Sequence, residues 1–397
     1  MLAGVVAAPT AQAARPLPDA VRALVQQSSV GDATSVVVRD GDGAVLAAVR
    51  PNAPRLPASN QKLITIATAL DVLGPQARLA TTLVAATEPV GGVVTGDVWL
   101  VGGGDPTFST SAFADAYWGI YAPTADRLAA DLAAAGVTRI TGRVNADASR
   151  FDDVPGAPGW KPEFIPAQSP PISALTIDRA ATAPSLRAAR AVRRALVRAG
   201  IQVGPARIAP APAADPVELA RVESAPVGIL AELAGRDSDN FVAEMLLKAA
   251  AVEATGRGTT AAGVETERGV LAELGVPDRG LALVDGSGLS YDNRATAAAL
   301  SLLLARIDDD PALGPAMRTS LATAGVNGTL ASRMQSGPAA GLVRAKTGSL
   351  NDASSLSGYA GECAFSVLVQ RTWVDQAAAH ALQDRIAQLL ARRSAEC

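Results

Sequence analysis

Histidine is all but missing from this chain of 397 residues, and lysine nearly so. His380 is the only imidazole, in a C-terminal helical pattern with no acidic or serine motif beside it. A Ser-His-Asp triad is therefore nearly excluded, and His380 reads as a surface or interface residue. A single histidine also rules out the H-E-x-x-H zinc hydrolases. The two cysteines, Cys363 and Cys397, cannot build a disulfide scaffold. In an exported protein they could close one bridge, pinning the C-terminal helix to the strand that starts at Cys363; two free thiols are the other reading. Beyond the N-terminus no run of 18 apolar residues occurs, so nothing spans a membrane. The net charge is −3 and no arginine patch is interleaved with aromatics, so nucleic acid is not an expected partner. Arg187, Arg190, Arg193 and Arg194 cluster on one helical pattern and read as a solvated face. No dinucleotide fingerprint is present. Gly102-Gly103-Gly104-Asp105 is followed by no Lys-Ser/Thr and reads as a tight loop. Asp40-Gly41-Asp42-Gly43 reads as a hairpin turn, because the following Ala44, Leu46 and Ala47 offer a calcium ion no carboxylates. No cofactor and no metal are expected.

What the chain does have is four lysines: Lys62, Lys161, Lys248 and Lys346. Every other basic residue is arginine, so this sequence uses a guanidinium wherever a plain positive charge suffices. An amine can lose its proton and act as a base, which a guanidinium cannot do at ordinary pH. Lys62 closes Ser59-Asn60-Gln61-Lys62, and Lys346 opens Lys346-Thr347-Gly348, with Ser238-Asp239-Asn240 between them. S-x-x-K alone is a weak signal; the three strings in this order are a specific one. Ser59 precedes the apolar-periodic run Leu63–Ala67, which predicts a helix with Ser59 and Lys62 on one face, the spacing a nucleophile and its base need. Ser238-Asp239-Asn240 falls between helical stretches at Gly228–Ala234 and Phe241–Ala251, and Lys346-Thr347-Gly348-Ser349 lies in an extended segment ahead of a strand at Ala364–Gln370.

On these motifs the chain resembles the class C low-molecular-mass penicillin-binding proteins, serine D-alanyl-D-alanine carboxypeptidases and endopeptidases. The resemblance extends to Gly103-Gly104-Asp105-Pro106-Thr107, Pro171-Ile172-Ser173-Ala174-Leu175, Glu244-Met245-Leu246-Leu247, Asp285-Gly286-Ser287-Gly288-Leu289-Ser290 and Gly328-Thr329-Leu330. It covers nearly the whole chain from about residue 34. It implies an α/β (α+β) β-lactamase/transpeptidase-like fold, a mostly antiparallel sheet flanked by helices, with a smaller inserted α/β domain. Its implied partners are peptidoglycan stem peptides and β-lactams, and its implied location is extracytoplasmic. Leu2–Ala14 fits this location as the apolar part of an export signal lacking its charged start, with cleavage expected after Ala13.

The expected organisation is a signal remnant at 1–13, a peptidase domain at 14–76 and 180–397, and an inserted domain at 77–179. Strands at Thr34–Arg39 and Ala44–Val49 form a hairpin, and strands at both chain ends suggest one shared sheet. The inserted unit has strands near Thr82–Ala86, Asp97–Val101 and Ile140–Asp147 and a helix at Ala125–Ala135. Further helices fall at Leu186–Ala199, Thr259–Leu274, Ala295–Ile307 and Ala377–Arg392. Since Ile177-Asp178-Arg179 leads almost directly into the Leu186 helix, the family's innermost domain is expected to be missing.

The resemblance assigns roles. Ser59 is the nucleophile, Lys62 its base, and Ser238 a proton relay to the leaving amine. Asn240 holds the substrate amide, Lys346 and Thr347 the terminal carboxylate; Gly348 allows close approach, and the N–H groups of Ser59 and Ser349 form the oxyanion hole. Tyr291 stands where the family commonly has an arginine, so Asp147 is the candidate for an amino-bearing side chain of the stem peptide, with a turn-forming role as the other reading. Two other activities are open: a serine β-lactamase, for which no E-x-x-L-N segment lies between Ser238 and Lys346, and an inactive cell-wall binding protein, which would have lost Ser59 or a lysine.

Overall fold

The computed structural model describes residues 15–119, 122–211 and 215–397; the expected export signal lies outside them. Alternating branched residues place Val36 and Val38 in one apolar cluster and Val37 in another, so the strand Thr34–Arg39 is buried on both faces. It pairs antiparallel with Val45–Val49 through the Asp40–Gly43 turn, where Asp40 Oδ1 accepts the Ala44 N–H at 2.7 Å. On its other edge it pairs with Cys363–Gln370, Thr34 opposite Val369, which joins the two ends of the chain. The full sheet is antiparallel, in the order 322–323, 343–350, 353–360, 363–370, 34–39, 45–49.

Two helical layers cover this sheet. On one face Leu17–Gln26 and Gln376–Arg392 pack Leu17, Val21, Val25, Leu382, Ile386 and Leu390 against Val36, Phe365 and Val367. On the other, the helix Lys62–Leu73 is buried continuously from Lys62 to Leu70, enclosed by the helices Val227–Gly235, Asn240–Thr255 and Ala297–Asp308. An α-helix buried around its whole circumference forms the centre of a domain and gives what it carries a fixed position. Among the described residues no helix is long and apolar enough to cross a membrane.

The inserted unit is larger than the sequence suggested. Its sheet runs in the order 206–208, 144–147, 98–102, 80–85, 217–223, and the last two strands pair antiparallel with Ala80 opposite Glu223. The helix Pro184–Arg198 belongs here and not to the sheet of the peptidase domain: Ala188, Val192, Ala195 and Leu196 bury against Leu128, Leu132 and Val144. The expected boundary at residue 179 therefore moves to about Glu223. An amphipathic helix shows which of its faces is buried but not which sheet covers it. The expected strand Ile140–Asp147 is two: Arg139–Ile140 pairs parallel with Val93–Val94, and Val144–Asp147 enters the larger sheet.

Cys363 and Cys397 are joined, their Cα atoms 5.1 Å apart. The bridge fastens the end of the chain, past the Gln376–Arg392 helix, to the start of a central strand. Closing a loop over a sequence separation of 34 restricts the unfolded chain by about 3–4 kcal/mol in the loop-entropy treatment. Cys397→Ser is expected to lower unfolding free energy by about 2–4 kcal/mol. Alkylation of unfolded but unreduced protein, followed by mass measurement, should label neither cysteine; two labels would show free thiols.

Candidate active site

Ser59 sits in the single turn Ala58–Gln61 that leads into the buried helix Lys62–Leu73. Ala58 before it has φ 47°, a left-handed conformation that costs a non-glycine residue about 1–3 kcal/mol and recurs where a functional side chain is presented. Asn60 Nδ2 donates to Lys346 O at 2.9 Å, tying this turn to the strand Val343–Leu350. At Gly348 that strand comes so close that a Cβ would stand 2.9 Å from both Ser59 N and Pro57 O and collide with Ser355 Oγ. Only glycine allows the Ser59 turn and the strand to touch.

Lys62 is fully buried, and its Nζ donates to Ser59 Oγ at 3.0 Å, Asn240 Oδ1 at 2.7 Å and Ser287 O at 2.6 Å. Burial pushes its pKa from 10.5 down to about 8, against the opposing pull of Asp285, Glu244 and Asp239. Lys346, also fully buried, donates to Thr347 O at 2.9 Å; burial and then the nearby Lys62 hold its pKa well below the usual lysine range. The sequence-based roles of Ser59, Lys62, Ser238, Asn240, Lys346, Thr347, Gly348 and Ser349 thus fall on residues that the fold brings together. Ser59, Ser238, Asn240, Thr347, Gly348 and Ser349 line one cleft of about 410 Å³, with Lys62 and Lys346 buried behind it.

Several supporting groups carried no signal by themselves. Asp239 caps the helix Asn240–Thr255 through the Val242 N–H and makes a bidentate pair with Arg179 from the inserted unit, which fixes the Ser238 loop from outside. Ser238 has φ 61°, a second strained position at the site. Asn240 Nδ2 donates to Gln168 O at 3.0 Å, which turns its Oδ1 toward Lys62. Asp285 accepts from Gly288 N, Ser290 N, Asn293 Nδ2 and Trp160 Nε1, so it folds the Asp285–Ser290 loop around itself. Glu244 accepts the N–H groups of Gly286 and Ser287 and aims the Ser287 carbonyl at Lys62. Burial first, and Asp285 second, raise the Glu244 pKa to about 8, so at neutral pH it is mostly a neutral acid.

Two expectations change. Asp147 is 5% exposed, and its carboxylate accepts the N–H groups of Ser149 and Ala211 at 2.8 and 2.7 Å. It is an internal turn former, not part of the cleft. His380, read from the sequence as a surface residue, lines the cleft together with Arg333. The pKa of this half-buried imidazole is lowered, by burial first and the Arg333 guanidinium second. Arg333 is held by Asp384 and Gln383 of the helix that carries His380. Nothing local marks either residue, because cleft and motif are separated by the fold of the C-terminal strands. The Tyr291 ring has Lys161 Nζ 5.0 Å above its centroid, a cationic contact the sequence did not reveal.

An antiparallel sheet under helices, with Ser-x-x-Lys, Ser-Asp-Asn and Lys-Thr-Gly converging on one cleft, defines a class C low-molecular-mass penicillin-binding protein. The chain belongs to the D-Ala-D-Ala carboxypeptidase 3 (S13) family, whose pattern matches residues 17–191 and 176–393. It is a serine-type D-Ala-D-Ala carboxypeptidase. A carboxypeptidase of Mycobacterium tuberculosis is 37% identical over 325 residues, 77% of this chain and 68% of that protein. The D-alanyl-D-alanine carboxypeptidase of Actinomadura sp. is 31% identical over 441 aligned residues, 88% of this chain and 80% of its own. Among solved structures, penicillin binding protein 4 of Haemophilus influenzae superposes with TM-score 0.77 at 20% identity, covering 94% of this chain and 99% of that one. That protein has also been solved in complex with a β-lactam.

Gly348→Ala is expected to slow acylation by a β-lactam about a hundredfold or more, since shifting the Ser59 turn by an ångström is enough for such a loss if the cleft is the reacting site. Stopped-time intact-mass measurement of the adduct checks it, with circular dichroism to confirm that the variant folds.

Proposed function

We propose that the protein removes the terminal D-Ala of peptidoglycan stem peptides, or cuts the equivalent D-Ala bond of a cross-bridge, through an acyl-enzyme on Ser59. The observation that carries this reading is the Lys62 amine, 3.0 Å from Ser59 Oγ in a fully buried position with its pKa lowered to about 8. A neutral amine there can take the hydroxyl proton as Ser59 attacks the penultimate D-Ala carbonyl. Ser238 passes that proton to the departing amine, and the Ser59 and Ser349 N–H groups receive the carbonyl oxygen as it becomes negative. Asn240 holds the substrate amide. Thr347 offers its hydroxyl to the terminal carboxylate, and Lys346 regains full positive charge when that carboxylate arrives beside it. A β-lactam enters by the same route and stays as a stable ester on Ser59. Such a substrate lies outside the cytoplasmic membrane, which sets the expected location of the enzyme.

Incubation with a penicillin is expected to give a long-lived adduct on Ser59; rapid turnover with no adduct would favour a β-lactamase instead. Lys62→Arg should abolish acylation, since a permanently protonated guanidinium is no base, while Lys346→Arg should keep part of the activity. Equal losses would overturn that division of labour.

The pH dependence follows from the direction of the Lys62 shift. The active form is the deprotonated one, so below about pH 8 kcat/KM should rise close to tenfold per unit, and above it flatten. The apparent value belongs to Lys62 together with Glu244, which titrates in the same range. A profile flat between about pH 6 and 9 would remove Lys62 from the role of base.

A further inference from the structure

The catalytic cleft does not end at Ser349. A second hollow of about 380 Å³, lined by Ser349, Leu350, Asn351, Trp373, Val374 and Gln376, shares Ser349 and Leu350 with it. Trp373 is 75% exposed, in a chain where the other three tryptophans are at least partly covered. Its backbone is nevertheless fixed: φ is 53°, its N–H donates to Asp352 Oδ1 at 2.9 Å, and the next N–H donates to Asn351 O at 2.9 Å. An exposed indole on an anchored backbone beside the cleft offers a flat apolar face. Asn351 is exposed beside it, and Gln376 lines the hollow with its Nε2 spent on Leu350 O and Ala353 O.

We propose that this hollow is a saccharide subsite, in which Trp373 stacks on an N-acetylated hexosamine of the glycan strand that carries the stem peptide. The inference rests on the reading of the substrate given under Proposed function. With the leaving residue's carboxylate at Thr347 and the reacting carbonyl at the Ser349 N–H, the acyl part of the substrate continues past Ser349 and Leu350. From Ser349 to Asp352, whose carboxylate accepts the Trp373 N–H, the chain spans at most about 10 Å. An extended peptide of about three residues covers the same distance. The sugar end of the stem therefore arrives where the indole is exposed. The pyranose ring has apolar C–H faces for stacking and hydroxyl and acetamido groups at its rim, which match an aromatic floor with a few polar neighbours.

The test compares Trp373→Ala and Trp373→Phe with the wild type on three substrates: a disaccharide-pentapeptide, the same pentapeptide without sugar, and a β-lactam. Trp373→Ala should lower kcat/KM about three- to tenfold on the sugar-bearing substrate, the size of one aromatic stacking contact. On the free peptide and the β-lactam it should stay within about twofold, and Trp373→Phe should recover most of the loss. An equal loss on free and sugar-bearing peptide, or no loss on either, would overturn the assignment. A second readout needs no turnover: a β-1,4-linked N-acetylglucosamine tetrasaccharide should change tryptophan fluorescence saturably in the wild type and not in Trp373→Ala. Absence of any saturable change in the wild type counts against the subsite. A chain that neither hydrolyses peptide nor is acylated refutes the proposed function instead, and the tetrasaccharide titration then decides the subsite on its own.

Discussion

Taking the Lys62 amine out of water is the constraint around which the catalytic domain is arranged. A buried ammonium costs several kcal/mol unless it is hydrogen-bonded, and its three acceptors come from positions 59, 240 and 287, far apart along the chain. The turn before the buried helix, the start of a second helix and the Asp285–Ser290 loop must all be in register for the amine to be satisfied. Each of them is in turn held by something else: Asn60 to the Lys346 strand, Asp239 to Arg179, Asp285 to Trp160, and the loop amides to Glu244. Burial lowers the Lys62 pKa toward neutrality, and the cluster of carboxyl groups behind it limits how far that goes. Stability of the site and the ease with which the amine sheds its proton are set by the same environment.

Among the described residues the inserted unit shares no sheet with that environment and is anchored to it by side chains together with backbone bonds such as Asp152 N–H to Gly258 O. Arg179 grips the Ser238 loop, Trp160 donates to Asp285, and Lys248 from the helix Asn240–Thr255 pairs with Asp152 and with Val154 O. Lys248 is fully buried, so losing Asp152 would strand a cation in the interior, a loss of about 3–5 kcal/mol. The four lysines thus divide cleanly. Two are buried behind the candidate cleft, Lys248 joins the inserted unit to the core, and Lys161 sits over the Tyr291 ring.

Much of the molecule was legible in the chain itself. Strand alternation at Thr34–Arg39, the Asp40–Gly43 turn, the helix behind Ser59 and the three motifs are local signals, and each lies where its residues indicate. The limits of the inserted unit were not local: the Pro184–Arg198 helix and the Val217–Glu223 strand look the same whether they cover one sheet or the other. The two readings of Asp147 were inseparable for a similar reason, because an acidic residue at a strand end has the same sequence whether it faces a cleft or accepts the Ser149 and Ala211 N–H groups.

The sequence by itself determined the family, since a serine and two retained lysines in an ordered set of motifs point to one class of serine peptidase once histidine is nearly absent. It could not determine what surrounds those residues. His380 and Arg333 reach the cleft because the C-terminal helix packs beside the Lys346 strand, and Trp373 because the turn before that helix folds against Asn351 and Asp352. Those placements depend on contacts between segments distant in the chain, which no local pattern encodes, and only the tertiary structure decided them.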